Sequence, residues 1–471
     1  MDNSLKMFFT IVFVLSLCCC IAQPRAHVDE RFELTGVVFS LTGEEVYHHQ
    51  YPEKYMKDIG DYFTKYKNHA LIRFIREKIN DNFFLDFPCT LAADIEITPK
   101  GIVYTRHWIT YYENYALYAD VETWTKSEME EYLRLLNKFY KDTEFHRFFV
   151  SHKDFYSAVE DSYQKLIDQI DTAWFSDFFG KSYSMKNIWV VPAFGGNNFG
   201  FRRIGNSGNV FNNCIMGCTR IDENGKPFFN TNDFKVLIHE SCHNYTQPLW
   251  EKYYAQCEGV CDTIYSYLSD VLTENHYGWN FSTLFEGMNI LYEHCYYRDH
   301  NTLENEFTTF ECSMKEAESK GFPWISEAMT FMDNFYKNRN VYNNCEDFVP
   351  DLINFLHNVA RNMKDYYYPQ IHEFAPIVIN TFPAQNSMVD ANIKTIMFKL
   401  SQPIEGLITF QDLNGNSSME YGELSMPDAC TYVLTLKEPL KPHAQYRIKI
   451  CAISEACKCT NKKFELIFET K

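Results

Sequence analysis

The sequence is short of basic charge, of long apolar runs and of paired cysteine motifs, and each shortage excludes something. Lys and Arg number 44 against 62 Asp and Glu, a formal net charge of −18. Such a chain repels phosphate backbones and acidic lipid, which argues against nucleic acid or an anionic membrane surface as a main partner. Beyond the N-terminal residues no segment is long and apolar enough to span a bilayer, so no integral membrane span is expected once the leader is removed. There is no internal repeat and no low-complexity tract. The 16 cysteines include three in the leader. The rest are odd in number, so at least one stays unpaired within the chain. The close pairs, Cys214 with Cys218, Cys257 with Cys261 and Cys457 with Cys459, lack the CxxC spacing of a zinc ribbon. Disulfides are possible in an oxidising compartment, with no connectivity legible.

What is present is a globular composition. The chain has 471 residues, 46% of them hydrophobic and 17% aromatic, enough for two or three domains with large aromatic cores. Lys6 and the apolar run from Met7 to Ile21, followed by Ala22, Gln23 and Pro24, read as a secretory signal peptide over residues 1–22. The expected location is therefore secreted: periplasmic, cell-surface or extracellular. Residues 31–47 alternate enough to suggest a strand. Residues 51–80 and 126–175 carry helical periodicity, with Leu133, Leu136, Phe139 and Tyr140 on one stripe. NIWVVPAF, residues 187–194, reads as a strand closed by glycines, and residues 232–368 read as mostly helical. From 374 to 471 short β-prone runs alternate with turns, the pattern of a β-sandwich.

The chemistry concentrates in TNDFKVLIHESCHNYTQPLWEKY, residues 231–253. Thr231, Asn232 or Asp233 can cap a helix, and Pro248 is expected to end it. Phe234, Leu237, Ile238, Ser241, Cys242 and Tyr245 make a core-facing stripe. His239 and His243 then lie one turn apart on another sector, with Glu240 within about 60° of His243. Two neutral imidazoles on one face can bind Zn²⁺ and leave room for water, and a neighbouring carboxylate can take that water's proton. The extended HExxHxxGxxH form is excluded, because Thr246 and Leu249 stand where Gly and His are required. A glutamate from a later helix is then the expected third ligand, with Glu258, Glu274, Glu286 and Glu293 as candidates. Periodicity does not choose between Glu286 and Glu293. Tyr277, His276 and His294 are candidate donors to a developing oxyanion. FGGNNFG, residues 194–200, lacks the Lys-Ser/Thr ending of a phosphate loop. It bounds either an edge strand near the cleft, able to pair with an extended peptide, or a plain turn. The sequons at Asn244, Asn280 and Asn416 are read as chance.

These residues resemble a family of secreted bacterial proteins of unknown function thought to be gluzincin-like metallopeptidases. The likeness is carried by Gly195-Gly196-Asn197-Asn198-Phe199-Gly200, Met216-Gly217 and Asp222-Glu223-Asn224-Gly225-Lys226-Pro227-x-Phe229. It continues through Leu237-Ile238-His239-Glu240-x-x-His243, Pro248-Leu249-x-x-Lys252-Tyr253, Tyr277-Gly278 and Glu286. It implies an α+β fold: a mainly helical zincin-like domain over 31–370, divided at 186/187. It also implies His239, His243 and Glu286 as Zn²⁺ ligands, Glu240 as general base, and a protein or peptide substrate. Glu293 is the runner-up ligand. The family places Arg and Ala four and five residues after its glutamate, where this chain has Ile290 and Leu291. The tail over 374–471 resembles a bacterial immunoglobulin-like domain. Its signature is Pro383-Ala384-Gln385-Asn386 with Val389-Asp390, then Phe398-x-x-Ser401-x-Pro403-Ile404-Glu405-Gly406, then Leu440-x-Pro442-x-x-x-Tyr446. That implies a spacer or presenting module, with association to the cell surface as a possible partner role. The competing expectation is a catalytically inactive surface or binding protein that keeps a structural metal site.

Overall fold

The computed structural model describes residues 24–44, 47, 52–79, 86–105, 125–183, 185–204, 210–222, 225–275, 277–300, 310–373, 375–412, 421–454, 461–462 and 464–471. The signal-peptide reading, the boundary residue Phe374, His276, the Asn416 sequon, the Cys457/Cys459 pair and Glu223-Asn224 of the family match lie outside the described residues.

The fold is α+β. A four-stranded sheet stands at the centre of the first 370 residues, in the order β1 (Arg25–His27), β4 (Met185–Val191), β6 (Val210–Gly217), β5 (Phe199–Ile204). β1 and β6 run parallel to β4, and β5 runs antiparallel to β6 on the sheet edge. A two-stranded ribbon, β2 (Ile95–Thr98) and β3 (Gly101–Tyr104), lies apart. Helices pack on both faces of the sheet, because residues alternating along β4 feed two cores. Ile188 and Val190 join one with the helices that follow the sheet, and Val191 joins another with Phe32, Val37 and Phe139.

The strand expected over 31–47 is not found among its described residues, 31–44 and 47. Glu30–Ser40 is a helix capped by Asp29, whose carboxylate accepts from Arg31 N at 2.9 Å. Phe32 through Ser40 are all buried. A helix covered on all sides carries no amphipathic period, and its β-branched residues imitate a strand; tertiary burial overrides that local preference. The 126–175 region does form helices, the first (Lys126–Asp142) closed by a capping box between Thr125 and Glu128. Leu136, Phe139 and Tyr140 of its stripe are buried, and Leu133 packs partly buried beside them.

Beyond residue 375 two four-stranded sheets face each other. One is ordered β10 (Ile404–Asp412), β13 (Gln445–Ser454), β14 (Glu465–Thr470), β8 (Ser387–Val389). The other is ordered β11 (Tyr421–Asp428), β12 (Thr431–Leu436), β9 (Thr395–Leu400), β7 (Val378–Phe382). Ile396 and Leu434 from one sheet share a core with Ile448, Leu466 and Phe468 from the other. Tyr446 is fully buried, and its hydroxyl accepts from Lys441 N at 2.8 Å, tying the 440–446 turn to the core. The cysteines described in this structure at 89, 214, 218, 242, 257, 261, 295, 345 and 430 are free thiols, so neither close pair among them is bridged.

Candidate metal centre

The HExxH residues sit on a helix, Thr231–Glu251. Its cap is Asn230 rather than Thr231, Asn232 or Asp233. The Asn230 side chain accepts from Asn232 N at 2.9 Å, and Asp233 reaches back to Asn230 N at 2.7 Å. Arg220 holds Asp233 from outside at 2.7 Å. Pro248 does not end the helix, which continues to Glu251. The missing backbone donor costs one helical bond. Burial of Leu249 and Trp250 in the next turn outweighs it. All six residues of the core stripe, Phe234 to Tyr245, are buried. Asn244 is also buried, its amide donating to Glu240 O at 3.3 Å, so that sequon is closed to a glycan.

A second helix, Met288–His300, lies against the first and is entered through a π-helical turn, Thr283–Gly287. Such turns recur at functional sites because the extra residue re-aims a side chain. Here it carries Glu286. Phe322 and Trp324 press on Gly287 so closely that a Cβ there would lie 2.9 and 2.8 Å from their rings. The carboxylate next to that glycine is thereby fixed from behind.

Three donor atoms converge between the helices. His239 Nε2 lies 3.1 Å from His243 Nε2, and Glu286 Oε2 lies 3.6 Å from each. Ligands at about 2.0–2.1 Å from a tetrahedral ion are separated by about 3.4 Å. The donor set, two imidazole nitrogens and one carboxylate oxygen, and its spacing both fit Zn²⁺ with one position left open. Of the four candidate glutamates, Glu286 is the one in this cluster. Glu293 has another partner: its Oε2 sits 2.5 Å from His239 Nδ1 and fixes which ring nitrogen faces the cluster.

Burial and the facing charges set how these groups titrate. Burial would push His239 down, but the carboxylates of Glu293 and Glu286 outweigh it and hold His239 well above the ordinary imidazole value. His243 is pushed down to about 4, by burial first, with Glu286 opposing and His239 adding to the drop. Burial works to raise Glu286 and Glu293, yet the facing histidines keep both below the ordinary carboxyl value.

Two residues that the sequence reading passed over lock the helix pair. Asn289 Nδ2 donates to His239 O at 3.0 Å, and Thr246 Oγ1 donates to Asn289 Oδ1 at 2.8 Å. Both residues are fully buried. Their signal was positional: Glu286, Asn289 and Glu293 fall at i, i+3, i+7, matching His239, His243 and Thr246 at i, i+4, i+7. Glu240 lies beneath edge strand β5. A Cβ on Gly200 would come within 2.8 Å of Glu240 O and 3.4 Å of Glu240 Oε2. Of the oxyanion candidates, Tyr277 packs partly buried near the cluster, its ring 5.4 Å from that of Phe322. His294 is committed elsewhere, to Ile290 O at 2.7 Å and Ser313 Oγ at 2.9 Å. Ile290 is buried in the core, and Arg298 pairs with Asp333 at 3.2 Å.

The fold and site define an α+β protein in which an HExxH helix and a glutamate-bearing helix build one buried donor cluster at a sheet edge. The chain belongs to the family described as a domain of unknown function, DUF4932, whose model matches residues 29–355. Among curated proteins none matches. Similar solved structures include PcoC, a methionine-rich copper resistance protein from Escherichia coli, at 20% identity and TM-score 0.18, covering 21% of this chain and 99% of that one. Domains 1–6 of the surface layer protein SbsC align at 13% identity and TM-score 0.17, over 51% of this chain and 33% of that one. At these scores neither likeness bears on fold or function.

Proposed function

We propose that the protein is a secreted, zinc-dependent metallopeptidase of gluzincin type, with an immunoglobulin-like accessory domain over residues 374–471. The observation that carries this is the His239–His243–Glu286 cluster, with Glu240 one residue along the same helix and an edge strand above it. His239, His243 and Glu286 would hold the ion. Zinc in such a site acidifies water and polarises a carbonyl. Glu240 is the general base: its carboxylate takes a proton from the attacking water and passes it to the leaving amine. Glu293 keeps the His239 ring in place. Among the described residues β5 ends its sheet, and its main chain can pair with an extended peptide, while Gly200 lets the strand lie against Glu240 with no side chain between them.

The second reading is a catalytically inactive surface or binding protein with the same metal held structurally. Ile290 favours it, because a buried isoleucine stands where related chains place an arginine. Elemental analysis and peptide digestion separate the two. Near one zinc per chain, with hydrolysis lost in Glu240→Gln while zinc is retained, supports the peptidase. Zinc without turnover of any peptide supports the binding protein. Zinc near zero after dialysis against the metal removes the site.

A further inference from the structure

One charged group at the centre has no part in the scheme above. Lys320 follows the helix Phe310–Ser319, and two residues later Phe322 packs against both Gly287 and Tyr277. The Lys320 segment is therefore laid against the residue next to Glu286 and against the candidate tyrosine donor. Its ammonium acts electrostatically on Glu286, Glu293 and Tyr277. Its side chain nevertheless keeps 33% of its surface open to solvent. A partly exposed cation beside these carboxylates is placed to meet an anionic group of a ligand.

Its position is set from behind. Lys320 Nζ lies 3.2 Å from Glu316 Oε1, and the same oxygen takes a second ammonium, Lys449 Nζ, at 2.6 Å. Lys449 belongs to β13, so the second lysine comes from the C-terminal sandwich. One carboxylate between two ammonium groups leaves a net positive charge. Lys449 also competes for Glu316, so Lys320 is restrained without being fully neutralised. The surroundings otherwise carry Glu240, Glu286 and Glu293, which repel an anionic ligand.

We propose that Lys320 determines specificity at this centre: its ammonium receives a carboxylate of the bound peptide, and Glu316, held by Lys449 of the C-terminal sandwich, positions it. The substrate class is a peptide with a carboxylate close to the scissile bond, from an acidic side chain or from the chain terminus. This rests on the peptidase reading for its meaning, but binding can be measured without turnover.

The test uses the full chain as Glu240→Gln, with and without zinc. Titration calorimetry follows three capped tripeptides that differ only at the last residue: an aspartate amide, an asparagine with a free carboxylate, and an asparagine amide. At least one carboxylate peptide is expected to bind about tenfold more tightly than the neutral amide, the fold-change of a hydrogen bond to a charged group. Which one gains identifies the carboxylate's source. Lys320→Met should abolish the preference and Lys320→Arg should keep it. Lys449→Met should weaken it while the zinc content stays at the parent's level. Equal binding of all three peptides, or a preference that survives Lys320→Met, overturns the proposal. A zinc content near zero would instead strike the peptidase reading, with the carboxylate preference still readable on the metal-free chain.

Discussion

Glu293 Oε2 lies 2.5 Å from His239 Nδ1, on the side of the ring opposite the donor cluster. The second glutamate of the helix thus acts on the first histidine rather than on an ion. Carboxylates in this position orient a ligating ring and raise its basicity, and their loss typically weakens metal binding about 10–100-fold. Glu293→Gln should keep one zinc per chain and bind it within that range more weakly. Glu286→Gln should lose more affinity, because a donor is removed. A competition titration against a zinc chelator reads both, and equal losses would contradict the division of roles.

Asn289 offers a test of what holds the two helices together. Its amide donates to His239 O and accepts from Thr246, wholly out of water. Asn289→Ala takes the side-chain donor from His239 O and opens a small void, while the Thr246 hydroxyl keeps Cys242 O at 3.0 Å as its acceptor. The expected cost is about 2–3 kcal/mol. Urea denaturation measures it, and Asn289→Asp should also be destabilising because it trades the donor for a charge. A change below about 0.5 kcal/mol, the size of an ordinary surface substitution, would mean the bridge contributes little.

Gly200 controls how near the edge strand comes to the base. Gly200→Ala would place its Cβ 2.8 Å from Glu240 O, closer than non-bonded atoms tolerate. Either β5 lifts or the helix shifts, at about 1–3 kcal/mol. Peptide hydrolysis should fall more than stability does, since the displaced strand is the proposed substrate edge. Unchanged hydrolysis alongside a lowered melting temperature would place the substrate elsewhere.

How much of this was legible in the sequence follows from what each signal encodes. The i, i+4 histidines and the buried stripe opposite them are a periodic pattern, and both stand as expected. Glu286 and Glu293 are seven apart on one helix, so periodicity puts them on the same face and cannot say which faces the ion. That choice depends on the π-helical turn and on Phe322 and Trp324 behind Gly287, residues far along the chain. The helix at Glu30–Ser40 read as a strand because burial on every side erased its period. Asn289 and Thr246 were passed over because spacing puts each on the face of its own helix but does not say that the two faces meet, and a buried polar pair is defined by its partner across space.

Glu33 leads to a prediction about pH. It lies in the fully buried helix below the sheet, where Tyr55 OH donates to its Oε1 at 2.5 Å and Ala193 N donates to the same oxygen at 3.0 Å. Burial raises its pKa from 4.5 to about 8, against the pull of those two donors. The folded state therefore holds a proton that the unfolded state has already lost. Stability from this group is intact below pH 4.5, falls as pH rises through the window to about 8, and is flat above it. At about 1.4 kcal/mol per unit the full loss is on the order of 4–5 kcal/mol. Glu33→Gln has no charge to bury and keeps an acceptor for Ala193. Its stability relative to the parent should therefore rise steadily from pH 5 to pH 8, followed by urea unfolding at constant ionic strength. Parallel curves for the two proteins would show that the carboxyl titrates in the folded state as it does in water.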